Sequence, residues 1–344
     1  MKHQYQMGCG NLKRANVTIL GATGAVGREM IKVLLERDFD PSGIRLLASS
    51  RSAGKKVACG GHEFTVAEAK PDSFAGSDIV LGAASNALAK EFAPHIKAAG
   101  AVFVDNSSAF RLDADVPLVV PEINPEDVKA HHGVIANPNC STIISLMALY
   151  ALARISPVER IIASTYQAVS GAGAGGLREL EAQARAWAAG EELEREVFPH
   201  QIAFNLIPQI GSALENGYTT EEMKMQNEGR KILHLPEMKV TCTCVRVPVL
   251  RSHSISISAR FARKITVEEA REAIAAAPGC RLADDVACGV YPMPLDTSDQ
   301  DTVFVGRIRP DLTDDNALAL WCCGDQIRKG AATNAVQIAE LLLG

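Results

Sequence analysis

Val17-Thr18-Ile19-Leu20-Gly21-Ala22-Thr23-Gly24-Ala25-Val26-Gly27 is the stretch on which the fold turns. Residues 17–20 make a short buried strand, and three glycines follow it without a break. A helix then runs to about residue 37, with Val26, Met30, Val33 and Leu34 on one face. Strand, glycine turn and helix start together form an anion cradle. The glycines let the backbone approach a pyrophosphate closely, and free N–H groups at the helix start face its charge. The spacing is G-x-x-G-x-x-G rather than G-x-G-x-x-G, so the context carries more weight than the pattern. A glycine turn that only connects two elements is the plainer alternative.

Outward from this unit, a second strand at residues 44–48 ends in Ser49-Ser50-Arg51-Ser52. A reader of NAD usually places a carboxylate here to accept from the ribose 2′-OH. Hydroxyls and a guanidinium suit a 2′-phosphate instead, which favours NADP over a merely solvated arginine. Apolar segments at 78–83, 101–105 and 134–136, with a helix at 87–99, continue the alternation of strand and helix. That alternation reads as a doubly wound parallel sheet. Arg111 lies on a loop after a strand, the side where ligands gather in such sheets.

Asn137-Pro138-Asn139-Cys140-Ser141-Thr142 delivers a cysteine toward the start of an apolar, helix-compatible run, residues 143–153. Asparagine and proline stop the helix from starting early and supply N-cap chemistry. A sulfur in the first turn of a helix sits where the dipole favours negative charge, and such placement can lower a thiol pKa from about 8.5 toward 7. Free cysteines are more often buried and inert, but the polar flanks argue against that here.

The pattern then changes. A strand at 158–168 contains Gln167, a second glycine-rich loop spans 170–176, and a helix follows at 177–189. Thr219-Thr220-Glu221-Glu222 reads as a capping box opening a helix on which Glu221 and Lys224 share a face. Taken alone, that pair is a solvated ion pair worth a few tenths of a kcal/mol. Residues 239–247 and 252–263 are long alternating strands, and 254–258 alternate strictly between serine and isoleucine. A hydroxyl-bearing sheet face suggests packing on another surface, such as a second subunit. A capped helix runs from 266 to 277, a last strand covers 318–323, and a C-terminal helix at 331–343 is expected to return to the first domain. There is no internal repeat and no low-complexity linker.

Composition narrows the function. The 344 residues carry a formal charge of −5, with 47% apolar and 22% charged residues. This is the balance of a soluble globular protein of two domains. Nothing basic enough for nucleic acid is present, and no apolar run approaches the roughly 20 residues that span a bilayer. Residues 1–16 are polar, lack a signal-peptide core, and read as a loose leader. The nine cysteines are odd in number, scattered and without a C-x-x-C pair. That describes neither a disulfide framework nor a metal site, and it fits a reducing cytoplasm.

With these residues together, the chain resembles aspartate-β-semialdehyde dehydrogenases over residues 17–343. The resemblance rests on the Asn-Pro-Asn-Cys-Ser-Thr stretch, on Gln167-Ala168-Val169-Ser170-Gly171-Ala172-Gly173, on Glu221-x-x-Lys224, and on Arg246 followed by Arg251-Ser252-His253-Ser254. It implies a Rossmann-type doubly wound sheet at residues 16–139, joined by a returning helix at about 326–344. An α+β catalytic and dimerisation domain would cover 140–325. It also implies Cys140 as acyl-forming nucleophile, His253 as acid/base and Gln167 as an orienting group. Arg246 would hold the substrate α-carboxylate through its planar fork, and Glu221 the α-ammonium. Arg111 and Lys224 would grip phosphate, with Asn139 beside the substrate. NADP(H) would lie on Gly21, Thr23, Gly24, Ala25, Val26 and Gly27, on Arg51 and Ser52, and near Ser170, Gly171 and Asn334.

The implied reaction reduces L-4-aspartyl phosphate reversibly to L-aspartate 4-semialdehyde, releasing inorganic phosphate, on the route to lysine, threonine, methionine and diaminopimelate. The implied assembly is a homodimer or tetramer. A thioester accepts hydride far more readily than a carboxylate, so covalent catalysis divides one hard step into two. N-acetylglutamyl-phosphate reductases share this chemistry but usually carry glycine where this chain has Asn139. Malonyl-CoA reductases of the archaeal type would use the same thioester. A non-catalytic NADP-binding sensor is a reading of another class, and it would have no need of Cys140, Gln167, Arg246 and His253.

Overall fold

The computed structural model describes residues 12–344; residues 1–11 of the leader expected over 1–16 lie outside the described residues. Lys13, by contrast, bridges to Phe39 and Ala15 is buried in the first core, so residues 13–16 are part of the fold rather than a loose leader. The first half of the chain runs β1 (Val17–Leu20), α1 (Ala25–Glu36), β2 (Ile44–Ala48), β3 (Lys56–Cys59), β4 (His62–Glu68), β5 (Ile79–Gly82), α2 (Asn86–Ala98), β6 (Val102–Asp105) and β7 (Val134–Ala136). These strands form a seven-stranded sheet in the order β3-β4-β2-β1-β5-β6-β7. All pairings are parallel except that of β3 with β4. The β3–β4 hairpin was not expected from the sequence. Its turn is Gly60-Gly61, at φ of +56° and +80°, and two left-handed residues are what a tight hairpin turn requires.

The strand order reverses direction at β1, so a crevice opens beyond the carboxyl ends of β1 and β5. The glycine turn sits there. Gly21 adopts φ +89°, and a Cβ on it would lie 2.4 Å from the carbonyl oxygen of Ala83. Gly27 likewise would meet the Gly21 carbonyl oxygen at 2.4 Å, so this glycine lets α1 pack against its own turn.

The second half comprises α3 (Cys140–Ala153), β8 (Val158–Gln167), α4 (Gly173–Ala189), α5 (Thr220–Ile232), β9 (Lys239–Arg246), β10 (His253–Phe261), α6 (Val267–Ala275), β11 (Cys280–Leu282), α7 (Pro294–Thr297), β12 (Val303–Pro310), β13 (Ala317–Gly324) and α8 (Thr333–Leu343). A mixed six-stranded sheet has the order β11-β12-β13-β10-β8-β9. Both capping boxes are present, Thr219 with Glu222 on α5 and Thr266 with Glu269 on α6.

Helix α3 binds the halves together. It is apolar on every side, and all twelve residues from Ser141 to Leu152 are buried, as a helix needs to be when it has no solvent face. One continuous core joins it to Leu20, Val80 and Phe103 of the first sheet and to Ile161, Ile257 and Leu320 of the second. Helix α8 returns to the first sheet, where Ala335, Val336, Ile338 and Ala339 pack with Val17, Ile19, Met30 and Leu34. A π-helical turn (Arg328–Ala332) leads into α8. Its Arg328 pairs with Glu29 and Glu36 of α1 and with Asp301, tying the glycine-turn helix to the second half.

Candidate active site

Parallel strands deliver their following loops to one edge. The carboxyl end of β1 carries the glycine turn, that of β2 carries Ser49–Ser52, that of β6 the loop to Arg111, and that of β7 Asn137–Cys140. Cys140 is the first residue of α3, three residues earlier than the apolar run suggested. Asn139 is its N-cap: Oδ1 accepts from Ser141 N at 3.0 Å and Thr142 N at 3.2 Å, a device worth about 1 kcal/mol. Its Nδ2 donates to Glu221 Oε1 at 3.0 Å and its backbone N–H to Glu228 Oε2 at 2.7 Å.

Three strand ends bring the other groups into one row. Gln167 on β8 is in parallel register with Arg246 on β9. The antiparallel pairing of Tyr166 with Ser254 places His253 of β10 across from Gln167. Arg246 and His253 were expected on adjoining segments. Instead β8 lies between their strands, and Gln167 stands in the middle.

His253 is fully buried. Its Nδ1 accepts from the Ala168 backbone N–H at 3.0 Å, which leaves the neutral ring's proton on Nε2. Burial, then the Arg246 guanidinium, push its pKa down to about 3 despite Glu221. The imidazole is therefore neutral. Arg246 is also buried; its Nη1 donates to Ala168 O at 2.7 Å, and the Phe198 ring lies 5.9 Å from the guanidinium carbon. A cleft of about 560 Å³ opens beside Arg246, between Phe198 and Ile207–Gly211. A larger depression of about 650 Å³ lies at the opposite ends of β8 and β9, around Arg160 and Lys239, and holds none of these groups.

Glu221 joins the cysteine to the strand row. Its Oε1 accepts from Asn139 Nδ2 and, at 3.2 Å, from Gln167 Nε2, while Oε2 accepts from Lys224 Nζ at 2.7 Å. Its side chain is only 10% exposed, so this is no solvated surface pair. Burial alone would raise the carboxyl, but Lys224 and the three hydrogen bonds hold it at about 2.

The thiol departs from expectation. Burial, then the Glu221 charge, push Cys140 up to about 11, against the pull of Lys224, Arg111 and Arg246. The residue is half-buried, but burial of its sulfur and the nearby carboxylate move it opposite to the lowering expected from the helix start. Without substrate it is a thiol.

Arg111 is buried, and three of its five donors are engaged: Nε with Asn137 O at 2.9 Å, Nη1 with Glu228 Oε1 at 3.0 Å and Nη2 with Asn106 O at 2.7 Å. One hydrogen remains on each terminal nitrogen.

The expected cofactor residues divide into two groups. Gly21–Gly27, Arg51 and Ser52 line the carboxyl edge of the first sheet, with Arg51 exposed and, among the described residues, making no ion pair. Gly24 caps α1 without a side-chain hydrogen bond, so the helix-start N–H groups stay open to an anion. Thr23, Ala25 and Val26 are half-buried in the same turn. Ser170 is buried and accepts from Gln326 Nε2. Gly171 abuts the strand row, since a Cβ there would lie 2.8 Å from Arg246 Nη1 and 3.3 Å from His253 Cε1. Asn334 is fully buried, with its Nδ2 on Val119 O and Asn137 Oδ1 and its Oδ1 on Lys329.

Sequence reasoning passed over Glu228 and Gly330. Glu228 lies seven residues beyond Glu221 on the same face of α5, a spacing that could have revealed it. Gly330 packs against Cys140, with a Cβ position 2.9 Å from the cysteine Cβ, and no local pattern announces it. Among the described residues, no group of three His, Cys, Asp or Glu side chains is gathered for a metal.

Comparison with known proteins agrees with this geometry. Residues 16–131 match the family model for the semialdehyde dehydrogenase NAD binding domain, and residues 149–329 that for the semialdehyde dehydrogenase dimerisation domain. An aspartate-semialdehyde dehydrogenase of Synechocystis sp. is 50% identical over 95% of this chain and 97% of its own length. That of Aquifex aeolicus is 51% identical over 95% and 97%. The crystal structure of aspartate semialdehyde dehydrogenase II from Vibrio cholerae complexed with ASA superposes with a TM-score of 0.93 at 42% identity, covering 96% of this chain and 98% of that one. The enzyme of Candida albicans with NADP gives 0.75 at 27% identity, covering 96% and 98%. Sequence, fold and site geometry agree that this chain is an enzyme and belongs to the aspartate-semialdehyde dehydrogenase family.

Proposed function

We propose that the protein catalyses the reversible, NADP-dependent reductive dephosphorylation of L-4-aspartyl phosphate to L-aspartate 4-semialdehyde through a thioester on Cys140. The observation that carries this reading is the row Arg246–Gln167–His253, linked through Glu221 to the N-cap of the cysteine. The residues of the glycine turn fit a dinucleotide pyrophosphate, since Gly24 leaves the helix-start N–H groups uncovered. Arg51 and the serines around it supply cationic and hydroxyl partners for a 2′-phosphate. When bound, NADPH supplies the hydride that reduces the thioester.

Arg246, held by Ala168 O and lying against Phe198, keeps its fork for the α-carboxylate. Glu221 takes the α-ammonium. Burial is the larger cause of the raised thiol, but neutralising that carboxylate removes the charge that adds to it, so substrate binding eases ionisation of Cys140. The thiolate attacks the acyl phosphate and the C–O bond to phosphate breaks; the proton given up by the thiol leaves with the phosphate, as the dianion that Arg111 and Lys224 receive. His253, with its proton on Nε2, donates to the oxygen that becomes negative during acyl transfer and reduction. A neutral donor in a dry site needs no reorganisation at that moment. The relative solved with ASA and the one solved with NADP support the substrate and cofactor, and the match to a dimerisation domain supports a homodimer or a larger assembly. No described helix is long and apolar enough to cross a membrane; we place the enzyme in the cytoplasm, serving lysine, threonine, methionine and diaminopimelate synthesis.

The test is phosphate-dependent reduction of NADP by the pure protein with aspartate semialdehyde, run beside malonyl-CoA with NADPH. Activity only with malonyl-CoA, or full activity of Cys140→Ala, would overturn the reading.

A further inference from the structure

Glu228 is 2% exposed and forms an ion pair with Arg111, which is itself almost fully covered. Each carboxylate oxygen has a separate task. Oε1 accepts from Arg111 Nη1 at 3.0 Å, and Oε2 accepts at 2.7 Å from the backbone N–H of Asn139, the residue before the nucleophile. One turn further along α5, Lys231 Nζ donates to three carbonyls of the Arg111 loop, those of Arg111, Asp113 and Val116. The loop is therefore pinned to the helix that carries Glu221, Lys224 and Glu228.

We infer that Glu228 is a positioning residue with two separable effects: its charge is the internal counter-ion against which phosphate competes at Arg111, and its second oxygen fixes the main chain that presents Cys140. The inference rests on Arg111 being a phosphate ligand. Arg111, Lys224 and Arg246 all bear on the cysteine, opposed by Glu221, and Glu228 is the further anion held on Arg111. A site that bound phosphate with every cation unopposed would release it slowly. A resident carboxylate lowers that affinity and keeps Arg111 in place while the site is empty.

Three variants test this through initial rates, with phosphate and aspartate semialdehyde varied separately, and through the rise in Tm with added inorganic phosphate, which needs no turnover. Glu228→Gln keeps an acceptor and removes the charge. Its phosphate KM should fall by roughly tenfold or more, as expected for one charge lost beside a dianion, and its Tm rise should half-saturate at correspondingly lower phosphate. Its semialdehyde KM should stay unchanged. Glu228→Asp keeps the charge and shortens the reach; kcat should fall while phosphate KM stays within about twofold of wild type, and a tenfold fall there would overturn the inference. Arg111→Gln is the control and should raise phosphate KM. If it does so while Glu228→Gln behaves as wild type toward phosphate in both measurements, the inference alone fails. If Arg111→Gln leaves phosphate KM unchanged, the phosphate role of Arg111 fails and takes this inference with it.

Discussion

Glu221 Oε1 lies 3.0 Å from Asn139 Nδ2, so one carboxylate reaches both the cap of the nucleophile's helix and, through Gln167, the strand row that holds the imidazole. This places a negative charge close to the thiol that the proposed mechanism requires to become negative. Glu221→Gln should lower the thiol pKa from about 11, because the repulsion is removed and the three cations remain. Measured as the pH dependence of iodoacetamide labelling at Cys140, the rising limb should move to lower pH. The semialdehyde KM should rise at the same time, with the ammonium's partner gone. A labelling profile identical to wild type would remove Glu221 from control of the sulfur.

The imidazole gives a second prediction. With Nδ1 accepting from Ala168 N–H, His253 should show the Nε2–H tautomer by nitrogen NMR and should not titrate between pH 5 and 9. Its folded pKa of about 3 lies below the ordinary 6.5, so the unfolded chain binds the extra proton first. Its stabilising contribution is therefore complete above pH 6.5 and is lost as pH falls from there toward 3. His253→Gln should flatten that acid-side loss of stability and lower kcat by about 10²–10⁴. A ring that titrates near neutrality would contradict the donor role.

Gly171 should tolerate nothing larger. A methyl group at this position would lie 2.8 Å from Arg246 Nη1, which is tethered to Ala168 O, and the imidazole beyond it is fully buried. Gly171→Ala should displace the fork and raise semialdehyde KM by about tenfold or more, since a bidentate charged contact contributes roughly 1.5–3 kcal/mol. Arg246→Lys should imitate it through KM, because the charge stays while the fork is lost. Unchanged substrate kinetics in both variants would exclude Arg246 as the carboxylate ligand.

The parallel sheet and the cysteine stretch were legible because local chemistry dictates them. The glycine turn, the asparagine cap at 139 and the capping box at Thr219 each act within a few residues. The Gly60-Gly61 hairpin carried an equally local signal that was not used. What sequence could not supply was lateral order. Arg246 and His253 lie seven residues apart, yet β8 enters between their strands from far upstream, so Gln167 becomes the centre of the row. The thiol was misjudged for the same reason: the helix start is local, but the carboxylate that opposes it comes from α5 and Gly330, near the C-terminus, packs against it.

The C-terminal segment supplies the last prediction, because two adjacent residues there have different tasks. Lys329 is 1% exposed, and its Nζ donates to Glu122, Asn334 and Gln337. Lys329→Met would leave the Glu122 carboxylate buried without its cation, a loss of about 3–5 kcal/mol, seen as a lower Tm. Gly330 makes no ion pair, only a backbone N–H bond to Asp325 O at 3.0 Å, but a Cβ there would stand 2.9 Å from the Cβ of Cys140 and 3.4 Å from Asp325 O. Gly330→Ala should therefore move Cys140 itself, lowering kcat and slowing iodoacetamide labelling, with phosphate KM little changed. The two variants should separate cleanly, one losing stability and the other turnover. Equal loss of Tm in both, with labelling of Cys140 unaltered in Gly330→Ala, would reduce Gly330 to a packing residue with no hold on the sulfur.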